Sequence, residues 1–342
     1  MKTVGAARLA DLPPPPAGTT GWPWTEESAP LPDKMPDGSD WPRISIITPN
    51  YNYARYLETT IRSVLLQGYP NLEYIIQDDG SSDGSVDLIR RYEPHLAYWS
   101  TEPNSGQPAV INRGMRRSTG SILAYINSDD YYLPGAFEAV ALHFHQHPEA
   151  DLVYGRCWFV DENEQKIGDH LGRLSSLDEL LDLWDIWWCK RQIVQPESFW
   201  RRRIYETVGD FRTDLHIAFD YEYWCRMLTA GAVFQELNYA TACFRFQPMQ
   251  KTSNATRTAG EELAVVERWL WDKNVPLAAK RRRELQAQWF YHNCFLSTVE
   301  NSMQRDESKL RRWTRVVFVC ARHPQILAAP PFRTRLRTVM GL

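Results

Sequence analysis

A chain of 342 residues has room for one large domain with appendages, or for two domains, and its 43% hydrophobic content can fill a core. A net charge of −3 gives no global basis for nucleic-acid binding. The six cysteines (157, 189, 225, 243, 294, 320) form no Cys-x-x-Cys pair and no metal-like cluster, and the N-terminus has no long apolar run, so free thiols in a reducing compartment, no signal peptide and no membrane-spanning helix are expected.

Residues 1–40, with Pro13 to Pro16 and few aliphatic side chains, read as an extended arm that Trp22 and Trp24 could pin to the surface. Order begins at Arg43. Ile44 to Thr48 is a strand, Pro49-Asn-Tyr-Asn52 a break, and Arg55 to Leu66 a helix with apolar positions at 57, 61, 64 and 65. Leu72 to Gln77 is a second strand that runs into Asp78-Asp-Gly-Ser-Ser-Asp-Gly84, followed by a helix from Ser85 to Tyr92. A short strand at Ala97 to Ser100 and a helix from Pro108 to Arg117, with proline at a permitted first-turn position, come next. Ile122 to Ile126 is almost continuously apolar, as a strand covered on both faces would be, and Asn127-Ser-Asp-Asp130 closes it. Strand and helix alternate four times, which predicts a parallel sheet with crossover helices. Two adjacent carboxylates beside a buried strand repel each other and lose solvation, so they call for a cation or strong donors, unless the pair is a solvated turn.

Beyond Pro134 the rhythm changes. A helix from Gly135 to His147, a strand from Leu152 to Val160 and a helix at Leu177 to Leu183 lead into the Trp-rich segment 184–189. Glu197 to Arg201 and Val233 to Arg245 read as strands, Asp220 to Ala230 as a helix, and the chain from Glu261 onward as helices with no strands. His143, His145 and His147 put only two imidazoles on one helix face with no further ligand, so a solvated helix end is expected rather than zinc. Trp184, Trp187 and Trp188 are assigned to the core before sugar stacking or a membrane surface.

Four segments now stand in order: Ile44-Ser-Ile-Ile-Thr-Pro-Asn-Tyr-Asn52, Asp78-Asp-Gly-Ser-Ser-Asp83, Asn127-Ser-Asp-Asp130 and Phe219-Asp-Tyr-Glu-Tyr-Trp-Cys-Arg226. Together they resemble the signatures of glycosyltransferase family 2 over roughly residues 41–250. The resemblance implies an α/β fold: a GT-A-like Rossmann-type central sheet with helices on both faces, plus a helical C-terminal extension. It divides the chain into a Pro-rich arm (1–40), a GT-A glycosyltransferase domain (41–250) with a nucleotide-sugar-binding half (41–134) and an acceptor half (135–250), and a helical basic region (251–342). It implies inverting transfer from a nucleotide-sugar donor, UDP-linked by preference, to a hydroxyl of a glycan or lipid-linked acceptor.

Residue by residue, the resemblance gives Asp79 the base edge, since an ionised carboxylate accepts the N–H of a uracil ring. Asp78 could take that part, and the whole segment could instead be a turn that caps the next helix. Pro49 and Tyr51 would border the base, and Gly106 and Gln107 would offer backbone N–H groups to phosphate. Asp130 would bind Mn²⁺ or Mg²⁺ with the donor phosphates, while Asp129 would meet sugar or ribose hydroxyls. Many members carry Asp where this chain has Asn127, and an amide is the weaker metal ligand. Asp220 would be the general base, its pKa raised by apolar Phe219; a helix N-cap is the plain alternative, and Glu222 faces away. Arg245 and Lys251 would lie near the diphosphate, with Gln247 where a His is common, and Gln195-Pro-Glu197 on the acceptor side.

A glycoside hydrolase would have no use for acidic groups at neighbouring strand ends, and no G-x-G-x-x-G supports a dehydrogenase. A non-catalytic nucleotide-sugar-binding or scaffold protein with a degenerate site is the remaining alternative. The arginines at 281–283, 311, 312, 315, 333, 335 and 337 make either a solvated surface or a contact with anionic lipid. A cytoplasmic protein, with a peripheral place on the inner face of a membrane, is expected.

Overall fold

Ile44 and Ile46 point to one side of the first strand and Ile47 to the other, and each side finds a helix layer. The computed structural model describes residues 6–189, 191–253, 255–305, 308–329 and 331–332. Chain contacts divide it into two units, Met1–Ser176 with Trp184–Glu262, and Leu177–Leu183 with Leu263–Leu342.

The first unit is built in the order β1 (Ile44–Asn50), α1 (Ala54–Leu65), β2 (Leu72–Asp78), α2 (Ser85–Tyr92), β3 (Tyr98–Thr101), α3 (Gln107–Arg117), β4 (Ile122–Tyr125), β5 (Tyr131–Tyr132), α4 (Ala136–Gln146), β6 (Leu152–Val160) and β7 (Lys166–Leu171). After α5 (Leu177–Leu180), which lies in the second unit, come β8 (Ser198–Arg201), α6 (Arg202–Val208), α7 (Phe219–Thr229) and β9 (Phe234–Arg245). The strands form one sheet in the order β3-β2-β1-β4-β8-β6-β9-β5, with β7 paired to β6. Strands β1 to β4 are parallel, as the alternating pattern predicts. The remainder is mixed: β8 is antiparallel to β4 and β6, β5 to β9, and β7 to β6, while β6 and β9 are parallel. β7 was not expected, because Lys166–Leu171 is an edge strand with mostly exposed side chains and no apolar run to announce it. β5, two residues long, is too short to carry a periodicity.

Leu57, Ile61 and Val64 of α1, Ile89 of α2 and Phe137 of α4 pack with Ile44, Ile46 and Ile76 on one face. On the other, α3 approaches so closely that a Cβ on Gly114 would lie 2.5 Å from Ile47 Cγ2. Because β1 sits between β2 and β4, the crossovers leave it in opposite directions. That places a topological switch point at the carboxyl ends of β1 and β4.

The N-terminal arm is tied down by α1. Arg62, fully buried, donates to Pro23 O (3.0 Å), Pro13 O (2.9 Å), Trp24 O (3.1 Å) and the Tyr92 hydroxyl (3.2 Å). Trp22 Nε1 donates to Tyr132 O at 2.8 Å. Replacing Arg62 with Met removes these donors and leaves three carbonyls without them. The expected loss is about 2–4 kcal/mol of stability. Chemical denaturation measures it, with faster proteolysis near residue 20 as the second sign; an unchanged midpoint contradicts it.

In the second unit α9 (Ala279–Phe290) and α11 (Lys309–Arg322), separated by α10 (Ser297–Gln304), follow α8 (Ala255–Trp271), which begins in the first unit. Tyr291, Phe295, Val299, Val316 and Ile326 make its core, and no strand occurs there among the described residues. Arg333, Arg335 and Arg337 lie outside the described residues. The His143 and His147 rings lie 4.5 Å apart at a tilt of 35°, with His143 bonded to Gln235, and no His/Cys/Asp/Glu group of metal-binding size occurs among the described residues. Trp187 is core against Tyr221, whereas Trp188 stays 39% exposed.

Candidate functional site

The loop after β1 and the loop after β2 are stitched together by short polar side chains. Asp78 is wholly buried and accepts from Asn50 Nδ2 (2.8 Å), Thr101 Oγ1 (2.7 Å), Ser81 Oγ (2.5 Å) and the Gly80 and Ser81 N–H groups. Burial pushes its pKa up, but the bonds from Ser81, Thr101 and Asn50 outweigh it and hold the carboxyl below its ordinary value. Asp83 accepts the N–H of Ala54 at the start of α1 (2.8 Å) and that of Ser85 at the start of α2 (3.0 Å). The turn-and-cap role is therefore filled by Asp78 and Asp83.

Asp79 is left at the cavity wall. Its oxygens accept the Ser105 N–H at 3.0 and 3.1 Å, the Ser105 hydroxyl at 3.1 Å and the Gly106 N–H at 3.0 Å, with Arg113 at 3.4 Å. Gly106, at φ +87°, is the N-cap of α3, and its N–H is turned to Asp79 rather than to open space. The Gln107 side chain is likewise engaged, between Asn127 Oδ1 (2.6 Å) and Lys251 Nζ (2.7 Å). The Gly106 N–H, expected to meet phosphate, is bonded to Asp79 in this structure.

The loop after β4 is fixed from below. Thr60 Oγ1 donates to the carbonyls of Ser128 (2.9 Å) and Asp130 (2.6 Å), and Ser128 Oγ to Pro49 O (2.7 Å). Asn127 accepts from Gln107 and donates to Gln195 Oε1 at 3.3 Å. A carboxylate could do only the first, which accounts for an amide at this position. Asp130 Oδ1 accepts the Arg245 N–H at 2.9 Å, while Oδ2 is buried with no hydrogen-bond partner. Burial first, and the neighbouring Asp129 second, hold the Asp130 carboxyl well above its ordinary pKa; burial also raises Asp129.

The arrangement fits a divalent cation in part. An orphaned carboxylate oxygen beside a second carboxylate supplies hard oxygen ligands, and the rest of an octahedron has to come from ligand and water. Arg245 does not serve the cavity directly. Its guanidinium is buried against Glu164 (3.0 Å), Asp129 O (2.8 Å) and the Tyr56 ring. Gln247 instead bridges Asp129 Oδ2 and the Tyr53 hydroxyl, each at 3.1 Å.

On the far side, Asp220 is the second residue of α7, so the N-cap position belongs to Ala218. The amides of His216, Ile217 and Ala218 are satisfied instead by Glu261 Oε2, at 3.0, 2.8 and 3.2 Å. Half-buried next to Phe219, Asp220 has its pKa raised from 3.8 to about 7, by burial first, against the pull of the Tyr221 N–H, and further by Glu262 and Glu261. Glu222 is paired with Arg226 at 3.0 Å inside the fold. Glu197 is fully buried, donates or accepts nothing through Oε2, and burial keeps its carboxyl well above its ordinary pKa. Ser105, Arg113, Tyr53 and Glu261 carry no motif that would have marked them; their parts are visible only once the loops meet.

Pro49, Tyr51, Asp79, Gly106, Gln107, Asp129, Asp130, Gln195, Asp220 and Lys251 all line one cavity of about 1120 Å³. Tyr51, 46% exposed, stands at its edge.

Known proteins share this chain's family and fold. The family described as glycosyl transferase family 2 matches residues 45–225. A Bacillus subtilis protein named as a teichuronic acid biosynthesis glycosyltransferase is 41% identical over 98 residues, a match spanning 27% of this chain and 38% of that relative. Two solved structures share the fold at low identity. A Pyrobaculum calidifontis mannosyltransferase in complex with GDP-Man and Mn²⁺ has TM-score 0.57 at 17% identity, covering 90% of this chain and 87% of that one. S. aureus TarS 1–349 with UDP-GlcNAc has TM-score 0.57 at 16% identity, covering 84% and 82%.

Proposed function

Because the chain belongs to glycosyl transferase family 2, we propose that it is an inverting glycosyltransferase. It moves a sugar from a nucleoside diphosphate, UDP by preference, to a hydroxyl of a glycan or lipid-linked acceptor, and its basic C-terminal region makes a peripheral membrane contact. The observation that carries the reading is the convergence of Asp79, the Asp129–Asp130 pair and Asp220, from two loops and one helix, on one cavity. A volume of about 1120 Å³ exceeds the common range for a single drug-sized ligand, leaving room for donor and acceptor together.

In this reading the base stacks between Pro49 and Tyr51, and its N–H meets Asp79 in exchange for the Ser105 hydroxyl. Asp129 holds sugar or ribose hydroxyls. Gln107 and the ammonium of Lys251 lie towards the diphosphate. Asp130, with its orphaned oxygen, would hold Mn²⁺ or Mg²⁺. Such an ion stabilises charge on the departing diphosphate. Asp220 takes the proton of the acceptor hydroxyl as that oxygen bonds to the anomeric carbon. The glycosidic C–O bond breaks at the same time, and its electron pair leaves on the diphosphate. One displacement inverts the anomeric centre.

Only ionised Asp220 can accept that proton. With a folded pKa of about 7, kcat is expected to rise about tenfold per pH unit below 7 and to level off above it. A pH–rate profile at saturating donor checks this, and a flat profile from pH 5 to 8 contradicts the assignment. The basic test is a thermal-shift screen of UDP- and GDP-sugars with and without Mn²⁺. Absence of any donor-induced shift overturns the reading.

A further inference from the structure

Helix α11 has two sides that behave differently. Val316 is buried in the core of the second unit, with Val319 and Cys320 packed against that core. The other side turns Leu310 (77% exposed), Trp313 (43%), Val317 (54%) and Phe318 (64%) to solvent. At about 100° per residue these four fall within an arc of roughly 140°, with exposed Thr314 and Ala321 between them. Exposed Arg311, Arg315 and Arg322 fall together on one border of that arc. The helix has five basic residues and no acidic one, in a chain whose net charge is −3. The positive border therefore runs against the overall composition.

We infer that this outward face of α11 lies in an anionic lipid surface, with the apolar arc among the acyl chains and the arginines at headgroup phosphates. The inference rests on the peripheral membrane contact proposed for the C-terminal region and assigns it residues. An amphipathic helix with long apolar side chains on one face and a cationic border is held by both effects at once, buried apolar area and attraction to anionic lipid. No described helix is long and apolar enough to cross a membrane, so the contact is along the surface. A flat acidic protein would satisfy the arginines but would leave Leu310 and Phe318 without an apolar partner.

The test is co-sedimentation of the full chain with phosphatidylcholine vesicles and with phosphatidylglycerol-rich vesicles at low salt. The wild type is expected to partition to the anionic vesicles. Leu310→Ser with Phe318→Ser lowers partitioning at least about tenfold. Arg311→Gln with Arg322→Gln lowers it by roughly fivefold per arginine on anionic vesicles only. All four positions are exposed, so the variants keep the fold, checked by unchanged melting. A chain that stays in the supernatant, or variants that partition like the wild type, overturns the inference. So does a concentration-dependent dimer, without vesicles, that the Ser variant dissolves, since the face would then belong to a second copy. Donor-induced thermal shifts are recorded on the same samples: their loss with vesicle binding intact would sink the glycosyltransferase reading and leave this one standing.

Discussion

Asp220→Asn is expected to lower kcat by about 100- to 10,000-fold, the range for removal of a positioned general base, while donor-induced thermal shifts persist. The amide is nearly isosteric, so the Tyr221 N–H keeps an acceptor and the change isolates ionisation. A stability effect accompanies it. The wild-type carboxyl titrates at about 7 in the fold against 3.8 ordinarily, so the folded state holds its proton more tightly than the unfolded state. Wild-type stability therefore falls as pH rises from about 4 to 7 and is lowest, for this group, above 7. The variant lacks that loss: it should melt well above wild type at pH 8 and by a clearly smaller margin at pH 5. Full transfer activity in the variant, or identical melting at both pH values, would remove Asp220 from the base role.

Asp130→Asn is the second large effect. The Asn oxygen can still accept the Arg245 N–H, so the strand junction survives, but the orphaned oxygen becomes an amide NH₂ that cannot ligate a cation. Transfer is expected to fall by about 100- to 1,000-fold, the scale of losing one preorganised charge-stabilising group. The Mn²⁺-dependent part of the UDP-sugar thermal shift should vanish, and isothermal titration with and without Mn²⁺ measures it directly. Retention in Asp130→Asn together with loss in Asp129→Asn would transfer the ligand role to the more exposed neighbour.

The part of the sheet from β1 to β4 could be read from sequence because its signals are local. Alternation of apolar strands with helical spacing at 57, 61, 64 and 65 predicts β1, α1, β2 and β4, and the acidic clusters mark their carboxyl ends. What resisted reading was set by contacts distant in the chain. Residue 79 meets residues 105, 106 and 113, and residue 247 meets residues 53 and 129. Arg245 illustrates the limit. Its charge and place suggest a phosphate contact, yet Glu164, two tyrosine rings and the Asp129 backbone oxygen take the guanidinium, and the Asp130 carboxylate meets only its backbone N–H. The edge strand Lys166–Leu171 escaped because most of its side chains face water and leave no apolar trace.

The bridges of Gln247 to Asp129 and Tyr53, and of Lys251 to Gln107, bear on how tightly any guest can be held. A newcomer's polar group that meets these side chains must evict a partner already in place. Observed affinity is then a difference between two nearly matched sets of bonds, and trimming the incumbent side chains could tighten binding instead of weakening it.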